Sequence, residues 1–251
     1  LRFIFRIKKP AGDFPIVVWG ISDLIRVIVS ILFFIYIIAI VEGFVVKKLG
    51  LNIDLNLRMI TNTFFIDIAA GLIILYFVIV KYKERLQALG FRFKHFFKDV
   101  LTGITAYVFI LPFLLVVLIL SIWLLDFLGY TPPPQPVFEI FMEEHRSKVL
   151  IFLTVFVSVF GPIVEEVFFR GFMYSALRKH AGVLASAFLS AAIFSSLHTN
   201  MVGFLPILAL GMLLAYLYET TGSLVSSITV HVIHNSLIVS LVFFVKSVLI
   251  R

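Results

Sequence analysis

Long apolar runs constrain this chain more than any other feature. They cover about Ile25–Val46, Met59–Val80, Val100–Leu125, Val149–Leu177, Val183–His198, Val202–Tyr218 and Leu224–Val245. A helix needs about 20 mainly apolar residues to cross the ~30 Å hydrocarbon layer. In lipid it satisfies its own backbone hydrogen bonds. The pattern predicts an all-α, multi-pass transmembrane helical bundle of about seven spanning helices, eight at most. Apolar and polar residues do not alternate in the runs, so a transmembrane β-barrel is a poor fit. With 61% hydrophobic and 14% charged residues over 251 positions, the chain carries more apolar surface than one water-soluble core can hide.

The absence of cysteine excludes disulfides, thiolate chemistry and Cys-based zinc sites. The net charge of +7 resides in Lys and Arg between the apolar runs. That placement sets membrane topology and argues against a nucleic-acid surface. With the N-terminus inside, the inner side holds Arg2, Arg6, Lys8, Lys9, Lys81, Lys83, Arg85, Arg92, Lys94, Lys98, Arg178 and Lys179. The outer side then holds Lys47, Lys48, Arg58, Arg146, Lys148, Lys246 and Arg251. The excess predicts N-terminus in and C-terminus out. From Glu84 to Lys98, Leu86, Leu89, Phe93, Phe96 and Phe97 recur at helical spacing among basic residues, which predicts a helix lying on an anionic membrane surface. The connector Tyr130–Lys148 reads as a stiff Pro-rich stretch followed by an acidic one.

Ionisable groups at membrane depth cost on the order of 2.5–3.5 kcal/mol each on insertion scales, and so mark functional sites. They concentrate in the last four runs as Glu165, Glu166, Arg170, His198, His231 and His234, with the polar amide of Asn235 beside them. Glu166 and Arg170 lie four apart on one helix and can pair. Glu165 is rotated by about 100° from Glu166 and is left to face a cavity. His231 and Asn235 share a face, with His234 on a neighbouring flank. At ~1.5 Å per residue, Glu165 lies about 20 Å, His198 about 25 Å, and His231 and Asn235 about 13 and 19 Å from the inner ends of their helices. Matching depth on three helices points to one buried polar pocket. A carboxylate in an apolar cavity serves as general base, an imidazole can polarise water, and His and Asn donors suit a developing oxyanion. His95, His145 and His180 fall in loops or at helix ends and read as solvated; Asp67, inside the second run, is given no role.

Three motifs carry a family resemblance. Glu165-Glu166-Val167-Phe168-Phe169-Arg170 fits Glu-Glu-x-x-x-Arg, Phe194 to His198 fits Phe-x-x-x-His, and His231 to Asn235 fits His-x-x-x-Asn. In this order on three apolar helices they resemble the CAAX prenyl protease and bacteriocin-processing (CPBP, or Abi) family of intramembrane glutamate endopeptidases. The resemblance implies that Glu165 and His198 activate the attacking water, that His231 and Asn235 form the oxyanion hole, and that Glu166 and Arg170 support the site. It also implies a membrane-associated peptide substrate, prenylated or not, and a prokaryotic plasma-membrane setting. The chain then divides into an N-terminal membrane region (1–148) with interfacial segments and a family-type helical core (149–251), within one structural domain.

Other readings stand beside this one. No cofactor is expected. In a zinc-dependent variant Glu165, His198 and His231 would hold the ion, although His-Glu-x-x-His is lacking. A non-enzymatic immunity or scaffold protein would use the pocket to hold a partner helix. A transporter would use it as a proton relay, but paired broken helices and repeats are not evident: one break, at Gly161-Pro162, is expected.

Overall fold

The computed structural model of the chain describes residues 14–50, 55–133, 135–198 and 200–249. These residues form helices and turns, with no strand among them. Arg2, Arg6, Lys8, Lys9 and Arg251 of the charge count, and Pro134 of the Pro-rich connector, lie outside the described residues.

Helix α1 (Ile21–Leu49) starts after Gly20, whose N–H donates to the Asp23 carboxylate at 3.2 Å, and ends at Gly50 in the left-handed region. Asp23 in the first turn and Lys47 and Lys48 in the last complement the helix dipole. Helix α2 (Leu55–Leu75) runs back beside it and finishes in a π-helical turn, Tyr76–Lys81. There Lys81 and Tyr82 both donate to Asp23, tying the end of the second pass to the start of the first.

Helix α3 spans Phe96–Phe127 and α4 Pro136–Glu143. A helical rod of 51 residues follows, Ser147–Leu197. Its parts are α5 (Ser147–Val155), a π-helical turn (Phe156–Phe160), α6 (Gly161–Glu166), a second π-helical stretch (Val167–Tyr174) and α7 (Ser175–Leu197). Helices α8 (Phe204–Thr221) and α9 (Leu224–Leu249) complete the chain. Among the described residues six helices are long and apolar enough to cross a membrane. The long rod supplies two passes because Gly182, at φ 75° and ψ 178°, takes a conformation that breaks the helix. The expected seven crossings follow.

Three sequence expectations are corrected. Gly161-Pro162 does not interrupt its helix. Pro162 has no amide to donate, and the π-helical turn before it already re-registers the ladder, with the Gly161 N–H reaching the Phe156 carbonyl. The segment 84–98 is not a surface helix. It holds a 3₁₀ turn, Leu86–Leu89, stopped by Gly90 at φ 96°. Leu89 is fully buried and Phe91 packs on the core, while Phe93 and Phe97 point outward, so an apparent periodicity conceals a tucked turn. The Pro-rich connector contains a helix: α4 buries Ile140 and Phe141 against Val239 and Val242 of α9.

Charged residues such as Glu166, Arg170 and Glu219 are buried, whereas Phe33, Phe109, Trp123 and Phe127 are exposed on helix faces. Water would penalise that distribution and lipid accepts it. The chain is an integral membrane protein.

Candidate active site

The site sits where the α6 segment and its π-helical continuation meet α7, α8 and α9. Glu166 and Arg170 pair as their spacing predicts, at 2.7 Å and with both side chains wholly buried. Arg170 also donates to the Gly211 carbonyl of α8 at 3.2 Å, and its guanidinium lies 4.7 Å from the centre of the Phe194 ring. The α8 backbone can come this close because position 211 has no side chain: a Cβ there would meet the Ala191 Cβ at 2.9 Å. A charge pair taken out of water needs such extra partners to offset desolvation.

His231 joins the two carboxylates. Its Nδ1 lies 2.9 Å from Glu166 Oε1 and its Nε2 3.5 Å from Glu165 Oε2. The imidazole is buried, while Glu165 is about one-third exposed, so the Glu165 carboxyl opens to the pocket. Glu166 Oε1 therefore accepts from both Arg170 and His231. Glu165 Oε2, Glu166 Oε2, Arg170 Nε and Ser158 Oγ are buried without a hydrogen-bond partner. Orphan polar atoms of this kind are rare in settled cores and mark places where function leaves capacity unused.

His198 ends α7 and is exposed. Its Nδ1 lies 2.8 Å from the Phe194 carbonyl, which can only accept, so Nδ1 donates, and a neutral ring so held has its lone pair on Nε2. The Phe194 ring contacts His198 at 4.6 Å and His231 at 5.5 Å between centres. The two histidines thus stand one phenyl ring apart. Asn235 lies one turn beyond His231, and its Nδ2 donates to the Val157 carbonyl of the π-helical turn at 2.9 Å. One amide N–H of Asn235 remains. His234 turns to the flank, as expected, with its Nδ1 3.2 Å from the Tyr107 hydroxyl. His95, His145 and His180 are exposed.

The structure therefore brings Glu165, Glu166, Arg170 and His231 into direct contact and places His198 and Asn235 at either edge of that group. Spacing alone missed the Glu166–His231 contact, the Gly211 carbonyl and the approach of Asp67 to Gly161, where a Cβ would lie 4.0 Å from Asp67 Oδ2. Phe194, which spaces the histidines, was visible as the first residue of the Phe-x-x-x-His motif. As for the zinc variant, no group of three or more His, Asp or Glu among the described residues is arranged to hold a metal ion.

Chemically, a partly exposed carboxylate beside a buried imidazole has the parts that general-base chemistry requires. A helical membrane bundle with paired glutamates and histidines at its centre defines the class. Residues 147–237 match the family model described as type II CAAX prenyl endopeptidase Rce1-like, in line with the resemblance carried by the three motifs. The Bacillus subtilis (strain 168) protein named "Putative membrane peptidase YdiL" is 26% identical over 110 residues, which are 41% of this chain and 45% of that relative. The match thus spans under half the relative's length. No solved structure matches the chain significantly.

Proposed function

We propose that this protein is an intramembrane endopeptidase of the glutamate type, hydrolysing peptide bonds of membrane-associated or lipidated substrates. The observation that carries this reading is the convergence of Glu165 and Glu166 on His231, inside the segment that matches the Rce1-like model. In this reading Glu165 takes a proton from water, with the free Nε2 of His198 as its helper, and returns it to the leaving amine. His231 and Asn235 offer N–H donors to the oxyanion. Glu166 and Arg170 hold His231 in place. No metal is required, and activity that survives exhaustive chelation would support that part.

An apolar cavity of about 370 Å³ in the bundle has the character to take a lipid chain or an apolar peptide segment. Phe91, Phe93, Ile163, Ile228, Val232 and Ile233 are among the residues lining it. Ile163 lies two residues before Glu165, and Val232 follows His231. Glu165 and His231 do not themselves line it, so it is a neighbouring apolar recess on the same helices. The Lys and Arg bias supports an N-terminus on the inner face, and with it we propose a prokaryotic plasma-membrane setting.

The test compares wild type with Glu165→Ala and His198→Ala on a library of membrane-tethered peptides, prenylated and not. Both variants should lose at least 10²-fold in kcat/KM while remaining folded. Cleavage by Glu165→Ala at the wild-type rate would overturn the assignment.

A further inference from the structure

We propose that Asp67 is a positioning residue for Glu165: its carboxyl carries a proton and donates a hydrogen bond to the Glu165 carboxylate across the bare backbone of Gly161. The inference rests on the peptidase reading of Glu165.

Asp67 lies about 18 Å along α2 from Leu55 and about 21 Å before Lys81, at mid-membrane. A carboxyl group at that depth is costly and is by default functional. Helix α2 packs against α6, and the contact is close at Gly161: a Cβ there would lie 4.0 Å from Asp67 Oδ2. Gly161 and Glu165 are four apart on one helix, hence on one face. A helical side chain leans toward the N-terminus and covers the turn before its own Cα. The Glu165 carboxyl is thereby directed over Gly161, into the space that Asp67 reaches.

Other charges do not compete for Asp67. On α1 and α2, Glu42 pairs with Arg58, some 13 Å toward one end, and Asp23 pairs with Lys81 at the other. Glu166 and Arg170 pair with each other. No hydrogen bond to Asp67 occurs among the described residues, and Glu165 Oε2, 3.5 Å from His231 Nε2, makes none either, so the Glu165 carboxylate keeps the capacity to accept from Asp67 while it faces His231. Two carboxylates side by side in an apolar cavity cannot both stay charged. A single proton on Asp67 leaves Glu165 ionised, as a general base must be, and holds it through a charge-assisted bond.

Infrared spectra of the full chain in lipid nanodiscs test the contact without a substrate. A protonated carboxyl band should be lost in Asp67→Asn and displaced in Glu165→Gln; a band that Glu165→Gln leaves unmoved overturns the proposal. In peptide cleavage, Asp67→Ala should lower kcat about 10- to 100-fold with KM within about twofold. Asp67→Asn, whose amide still donates, should recover most of that loss. An Asn variant folded by Trp19 fluorescence yet as slow as the Ala variant overturns it too. If wild type cleaves nothing, the peptidase reading falls while the infrared arm still decides the contact.

Discussion

Arg170→Leu tests whether the site is held together as described. The substitution removes the 2.7 Å bond to Glu166, the 3.2 Å bond to the Gly211 carbonyl and the stacking over Phe194. Glu166 Oε2 already lacks a partner, so its carboxylate would keep only His231. Breaking one side of a buried pair costs about 3–5 kcal/mol, since an uncompensated charge stays behind. For a chain of this size that corresponds to a fall in Tm of roughly 6–20 °C. Replacing both partners, as Glu166→Leu with Arg170→Leu, should recover about 2 kcal/mol. Recovery stays incomplete because His231 Nδ1 loses its acceptor. Fluorescence of Trp19, fully buried and stacked on Phe172, reports unfolding in graded SDS mixtures. A single variant within about 1 kcal/mol of wild type, or a double variant less stable than the single, would refute the reasoning.

Further expectations follow from other contacts. Gly182→Ala meets no atom within 4 Å, so its cost is backbone strain alone at φ 75°; about 1–3 kcal/mol should appear in the same unfolding assay. Glu219 accepts two bonds from Arg178, at 2.7 Å each, and one from Tyr174 at 2.8 Å, which latch α8 to the long rod. Glu219→Ala should destabilise by about 3–5 kcal/mol, and a smaller effect than Glu139→Ala at an exposed site would contradict the latch. Hydrogen bonds from the Arg146 side chain hold the Glu144 carboxyl down to about 2. A depressed carboxyl stabilises above its ordinary value of 4.5 and loses that contribution as pH falls toward 2. Tm measured from pH 7 to 3 should therefore drop less in Glu144→Gln than in wild type below pH 4.5.

The fold was largely legible because lipid imposes a simple rule: each apolar run became a helix, with ends displaced by a few residues. What escaped reading had no periodic signature. The π-helical turns at Phe156–Phe160 and Val167–Tyr174 shift which side chains face inward without altering composition. The turn at Leu86–Leu89 imitates an amphipathic helix, because Leu89 faces the core while Phe93 and Phe97 face outward. Within one helix, spacing gave the Glu166–Arg170 pair directly. Between helices it gave only depth, and depth does not fix rotation. Asn235 came to the right level, yet its amide meets the Val157 carbonyl.

Charge balance ties the motifs together. Glu-Glu-x-x-x-Arg places two carboxylates and one guanidinium in a medium where a net charge is costly. The structure sets the His231 ring between those carboxylates, 2.9 Å from Glu166 and 3.5 Å from Glu165. The Glu166 carboxylate can only accept, so His231 Nδ1 donates to it, and the Nε2 edge of the ring faces Glu165 Oε2. In the proposed peptidase reaction, an N–H on that edge would turn from the glutamate to the oxyanion. A neutral ring donating Nδ1–H to Glu166 has no proton left on Nε2 and cannot play that part. In that reading the oxyanion role proposed for the third motif depends on the second glutamate of the first, whose carboxylate holds the shared imidazole at 2.9 Å.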